Sequence, residues 1–136
     1  MNDREIERLK QETMTTALDK AKELQDRTKR LALRVIGLFR ALPHTEEARA
    51  LGKQLLRSAT SVAANYRAAC RARSQAEFAA KIGVVVEEAD ETVFWLELLV
   101  EAGIVPAPEM FDLLTEANEL LAIFSASQRT ARGNRQ

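Results

Sequence analysis

Few side chains in this chain are of a type that does chemistry, and the densest group of them is acidic. Glu87, Glu88, Asp90 and Glu91 place four carboxylates within five residues, a donor set of the kind that holds paired metal ions between helices. Such a site also takes two Glu-x-x-His motifs, and the only histidine is His44, beside Pro43. On a helical wheel Glu87 and Glu91 point away from the apolar seam of their own helix. The cluster therefore reads as a solvated or interface-facing acidic surface. Ser58 and Ser61 are nucleophiles in type only, because no base is available to activate either hydroxyl. Cys70, the single cysteine, falls near a buried face and reads as an inert packing residue. There is no Gly-rich phosphate loop and no zinc-ligand spacing. The expectation is no catalytic residue, no metal, no cofactor and no small-molecule substrate.

The remaining polar groups are suited to packing and recognition. Gln54, Ser58, Ser61 and Asn65 form a stripe at 4, 3, 4 spacing, about a quarter-turn from the seam of their helix. Small residues there let two helices approach closely, with Asn65 expected to bond across the contact. Arg49, Lys53, Arg57, Arg67 and Arg71 fall on the side opposite that seam, a basic stripe about 30 Å long at helical rise. An ordinary solvated face, ion pairing between subunits and binding of nucleic-acid phosphates are all open to it. It has no interleaved aromatic residues, which weakens a single-strand stacking model. Two apolar pairs also point outward and read as an oligomer interface. Phe94 and Leu98 are rimmed by Glu87, Glu91 and Glu101, and Leu33 and Ile36 by Lys29 and Arg40.

Four helices must carry these groups. The first runs through Met14, Ala17, Ala21, Leu24, Thr28, Leu31, Val35, Leu38 and Leu42, the 3, 4 spacing of a bundle seam, and Pro43 ends it. Thr45 is an N-cap for the second, which buries Ala48, Leu51, Leu55, Ala59, Val62, Tyr66 and Ala69. Ser74-Gln75-Ala76-Glu77 matches a capping box opening the third, along Phe78, Ile82, Val85, Ala89, Thr92, Leu96 and Leu99. Gly103 stands where a C-terminal cap would fall. Pro108 suits the first turn of the fourth, which follows Met110, Leu114, Ala117, Leu121 and Phe124. Short connections force antiparallel neighbours. The predicted fold is all-α, an antiparallel up-and-down four-helix bundle forming a single domain over 1–136, with residues 1–13 and 130–136 frayed.

Composition agrees with this reading. The chain has 136 residues, 46% hydrophobic and 29% charged, with five Gly and three Pro, which favours long helices over strands or disorder. Its first thirty residues are charged throughout and no apolar run reaches bilayer length. With one cysteine, this points to the cytoplasm and away from a membrane. Net charge is zero but segregated. Arg27 to Lys81 holds twelve basic and three acidic residues, whereas Ile82 to Gln128 holds ten acidic residues and no basic one.

From about Leu31 to Ser127 the chain resembles the bacterial four helix bundle protein family. That family includes proteins encoded in intervening sequences of large-subunit rRNA genes and accessory proteins of diversity-generating retroelements. The residues that carry the resemblance are Leu42-Pro43, then Gln54-Leu55-Leu56-Arg57-Ser58-Ala59-Thr60-Ser61-Val62, then Asn65, Ser74 and Glu77-Phe78. Where the family pattern continues Ile-Ala-Glu-Gly, this chain has Tyr66-Arg67-Ala68-Ala69, so any role of that carboxylate does not carry over. The resemblance implies a noncatalytic bundle forming rings, as pentamers. It implies nucleic-acid or partner-protein binding for the retroelement branch only. The leading expectation is a homo-oligomeric scaffold or interaction module, and its rival is a nucleic-acid-binding accessory protein using the helix 2 arginines.

Overall fold

The computed structural model describes residues 1–133 as four helices: α1 (Asp3–Ala41), α2 (Glu46–Cys70), α3 (Gln75–Glu101) and α4 (Ala107–Gly133). Each packs on its chain neighbour and α4 closes back on α1, whereas the backbones of the diagonal pairs stay apart and meet only through core side chains. This is the expected up-and-down bundle. Its apolar stripes converge on one core, in which Leu31, Val35, Leu55, Val62, Ile82, Val85, Leu96, Leu99, Leu120 and Phe124 are almost wholly buried. Burying each Leu or Phe contributes roughly 1.5–3 kcal/mol. Tyr66 and Phe124 tilt against each other with ring centroids 4.9 Å apart.

Local chemistry sets the helix ends. Thr45 Oγ1 accepts the Ala48 N–H at 3.3 Å and Ser74 Oγ accepts the Glu77 N–H at 3.1 Å. The Glu77 carboxylate reaches one residue further than a capping box requires and takes the Arg73 N–H at 3.3 Å. Gly103 ends α3 at φ 74°, the left-handed conformation that closes a helix without a Cβ clash. Gly52 permits the tight approach of α2 to the end of α1. A Cβ there would lie 2.6 Å from Leu42 Cδ1 and 2.9 Å from Phe39 Cδ2.

The least extensive contact is that between α1 and α4, and an ion-pair clamp fastens it. The Arg27 guanidinium grips Glu116 through two bonds, Nη2 to Oε1 at 2.6 Å and Nε to Oε2 at 3.1 Å. It reaches Glu119 at 3.0 Å as well. These carboxylates, Glu116 first, hold the Arg27 guanidinium charged more firmly than usual, against the opposing effect of burial.

The ends differ from expectation. Instead of fraying over 1–13, α1 is helical from Asp3, because Asn2 and Glu5 form a reciprocal capping box with bonds of 2.9 and 3.1 Å. At the other end, where fraying was expected from 130, α4 continues through Gly133 and buries Ala131. Residues 134–136 of that expectation lie outside the described residues. Met14, expected in the seam, is 63% exposed, because α1 with 39 residues outruns helices of 25 to 27.

Candidate interaction surfaces

The polar stripe of α2 divides by depth. Ser58 is wholly buried, and its Oγ donates to the Leu55 carbonyl at 3.1 Å. Thr92 Oγ1 of α3, equally buried, lies 3.1 Å from Ser58 Oγ and 2.8 Å from the Glu88 carbonyl, so its single proton serves one or the other. Close approach of α2 and α3 at Ser58 follows the small-residue argument. Asn65 departs from expectation. Its Nδ2 bonds Ser61 Oγ and the Ser61 carbonyl, both at 2.9 Å, so it braces its own helix and does not cross to another. The physical reason is distance from the axis of contact: Asn65 is half-buried at the rim and its i−4 neighbour is nearer. Gln54 is exposed.

The basic stripe splits into three environments. Arg49 stacks on the Phe39 ring at 4.6 Å, and Lys53 stands in solvent. Arg57 turns sideways to α3, bonding Glu88 at 3.1 Å and making a second, shorter contact to Glu91. Glu91 also accepts the Trp95 indole N–H at 3.2 Å. Arg57 first, and then Trp95, hold the Glu91 carboxyl below the ordinary carboxylate range. Part of the acidic cluster of α3 is thus neutralised within the chain.

Arg67 and Arg71 are placed differently. They form a ridge between two grooves floored by alanines. The groove toward α1, about 500 Å³, includes Lys22 and Lys29, and the groove toward α3, about 460 Å³, includes Arg73 and Lys81. Lys22 pairs with Asp26 at 2.7 Å. Among the described residues, Lys29, Arg67, Arg71, Arg73 and Lys81 have no carboxylate within ion-pair distance. Sequence reasoning found the α2 members but did not join them to Arg73 and Lys81, which only the packing of three helices brings together.

The apolar pairs face outward as expected. Phe94 is 53% exposed and meets Trp95 edge-on, centroids 4.9 Å apart, with Leu98 half-buried one turn on. Leu33 is 59% exposed and Ile36 half-buried. The most exposed aromatic among the described residues was missed: Phe111 of α4, 69% exposed. It sits beside Met110 in sequence, and the wheel argument that placed Phe94 outward would have placed it too. Among the described residues no three His, Cys, Asp or Glu side chains are grouped to hold a metal. Among these residues, too, no helix is long and apolar enough to cross a membrane.

Fold and surface together define a class: an all-helical bundle whose distinguishing features lie on its outer faces. The chain belongs to the 23S rRNA-intervening sequence protein family, whose pattern matches residues 20–126. It is also similar to a crystal structure of a protein of unknown function from the S23 ribosomal protein family of Bacteroides thetaiotaomicron VPI-5482. The two share 30% identity with a TM-score of 0.72, over 77% of this chain and 97% of that one. No curated protein matches.

Proposed function

We propose that this protein is a noncatalytic interaction module of the cytoplasm that assembles with copies of itself through unlike faces. The observation that carries this is the placement of its exposed apolar residues. Phe94 lies on α3 among Glu87, Asp90, Glu97 and Glu101, and Leu33 lies on α1 among Lys29, Arg30, Arg34 and Arg40. Because α1 and α3 are diagonal in the bundle, the two patches face away from each other. An acidic-rimmed patch on one side and a basic-rimmed patch on the other fit head to tail, which closes into a ring when the rotation per subunit allows. The family resemblance favours five subunits. Phe94→Glu should lower the mass of the assembly in native mass spectrometry while helical circular dichroism is retained. An unchanged mass would remove the Phe94 face from the interface.

A second reading, nucleic-acid binding, is favoured by one observation: the unpaired cations around the Arg67–Arg71 ridge. Phosphates of a nucleic-acid backbone match that spacing of fixed positive charge without requiring base contacts.

A further inference from the structure

From Met1 to Lys20 every residue of the chain is exposed, and the family match begins only at residue 20. Asp3–Lys20 is therefore an arm, about 27 Å long at helical rise, that projects beyond the end of the bundle where α2 turns into α3. A solitary helix of this length is marginal in water. Its apolar residues are nevertheless ordered. Ile6, Thr13 and Ala17 continue the line of Leu24, Thr28, Leu31 and Val35, with Lys10 set in that line between Ile6 and Thr13, and with Leu9 on one flank and Met14 and Leu18 on the other. At the root of the arm the bundle end carries an open groove of about 740 Å³, lined in part by Ala21, Leu24, Phe78 and Ile123, with Lys20 and Arg73 supplying positive charge.

We propose that two copies pair these arms antiparallel, each laying its Ile6–Thr13–Ala17 line on the other and seating its tip in the other's groove. The occupant is a second copy because this chain carries both halves of the contact. The arm's line extends the α1 seam, with Lys10 and Thr13 between its apolar members, and the groove opens at the point where an antiparallel arm of this length would end. Charge agrees: at the tip Asp3, Glu5 and Glu7 outnumber Arg4, and the groove offers Lys20 and Arg73. A two-fold axis near the middle of the arm satisfies tip and groove in both copies at once. In this register Ile6 of one arm lies level with Ala17 of the other. The contact is independent of the Phe94 face.

Two measurements on the full chain test this. Phe94→Glu should leave a dimer held by its arms, and adding Ile6→Glu with Leu9→Glu should reduce it to a 15.2 kDa monomer. In a Cys70→Ser background, Ile6→Cys mixed with Ala17→Cys should give more crosslinked dimer with a short bis-maleimide than either variant alone. A Phe94→Glu protein that is already monomeric with its arm intact overturns the proposal. So does crosslinking that is strongest in Ile6→Cys alone, which means parallel arms. If Phe94→Glu leaves the mass unchanged, the unlike-face reading fails, and the crosslinking experiment still decides the arm.

Discussion

Ser58 and Thr92 bring their hydroxyl oxygens to 3.1 Å inside the α2–α3 seam, where both side chains are wholly buried. Each hydroxyl also has a backbone carbonyl of its own helix within reach, so neither depends on the other. Ser58→Ala should therefore cost only about 1 kcal/mol, the net value of one hydrogen bond. Ser58→Leu should cost more, about 1–3 kcal/mol, because the enlarged side chain meets Thr92 in a closed seam. Asn65→Ala, at the rim, should cost less than about 1 kcal/mol. Urea unfolding of the three variants checks the order, and an Asn65→Ala as damaging as Ser58→Leu would contradict it.

The Arg27 clamp is the main polar tie between α1 and α4. Its side chain is 15% exposed and that of its partner Glu116 22%, so removing one member strands the charge of a largely buried side chain. Arg27→Ala should destabilise the bundle by about 2–4 kcal/mol, and Arg27→Met by less. Thermal melts at fixed protein concentration measure both. Equal stability of Arg27→Ala and the parent would show that the carboxylates find water without cost.

Glu91 gives stability a pH dependence of defined sign. Its folded-state carboxyl titrates below the ordinary value of 4.5, chiefly because of Arg57. A lowered folded value means stabilisation that is complete above the ordinary value and lost as pH falls through the folded one. The stability difference between the parent and Glu91→Gln should thus be largest near pH 7 and shrink at pH 3. Denaturant titrations at the two pH values decide it. A difference that grows on acidification would reverse the assignment.

Nucleic-acid binding at the Arg67–Arg71 ridge should be weak and non-specific, because the acidic stretch from Ile82 to Gln128 opposes it unless turned away. Contacts of that kind weaken steeply between about 50 and 200 mM salt. Fluorescence anisotropy with a labelled duplex and a labelled single strand across that range measures the slope. Submicromolar binding at about 150 mM salt, abolished by Arg67→Glu with Arg71→Glu while the assembly survives, would put the nucleic-acid reading first.

The periodic apolar positions made the bundle legible because each helix buries one continuous stripe, and spacing alone locates a stripe. Leu31, Val35, Leu55, Val62, Ile82, Leu96 and Phe124 were all found this way. Side-chain partners between helices were not legible, because they depend on rotation and register that spacing leaves free. Arg57 illustrates this: its position put it on the outer face of α2, but a long guanidinium swings about a helix radius and finds Glu88 and Glu91 on α3. Arg27 was missed as a clamp for the same reason. The arm escaped notice differently. The Asn2–Glu5 cap has the form of the boxes recognised elsewhere, with Asn in the first position, and a charged N-terminal segment was read as frayed although nothing before Gly37 breaks a helix.

The chain has a single tryptophan, and it stands at an informative place. Trp95 is half-buried, hydrogen-bonded to Glu91 and covered edge-on by Phe94. Its fluorescence is therefore an intrinsic reporter of whatever covers Phe94. If the proposed assembly closes over that face, expulsion of water shifts the emission to the blue and dilution returns it to the red, so the concentration at which the colour changes would give the affinity of the contact with no added label.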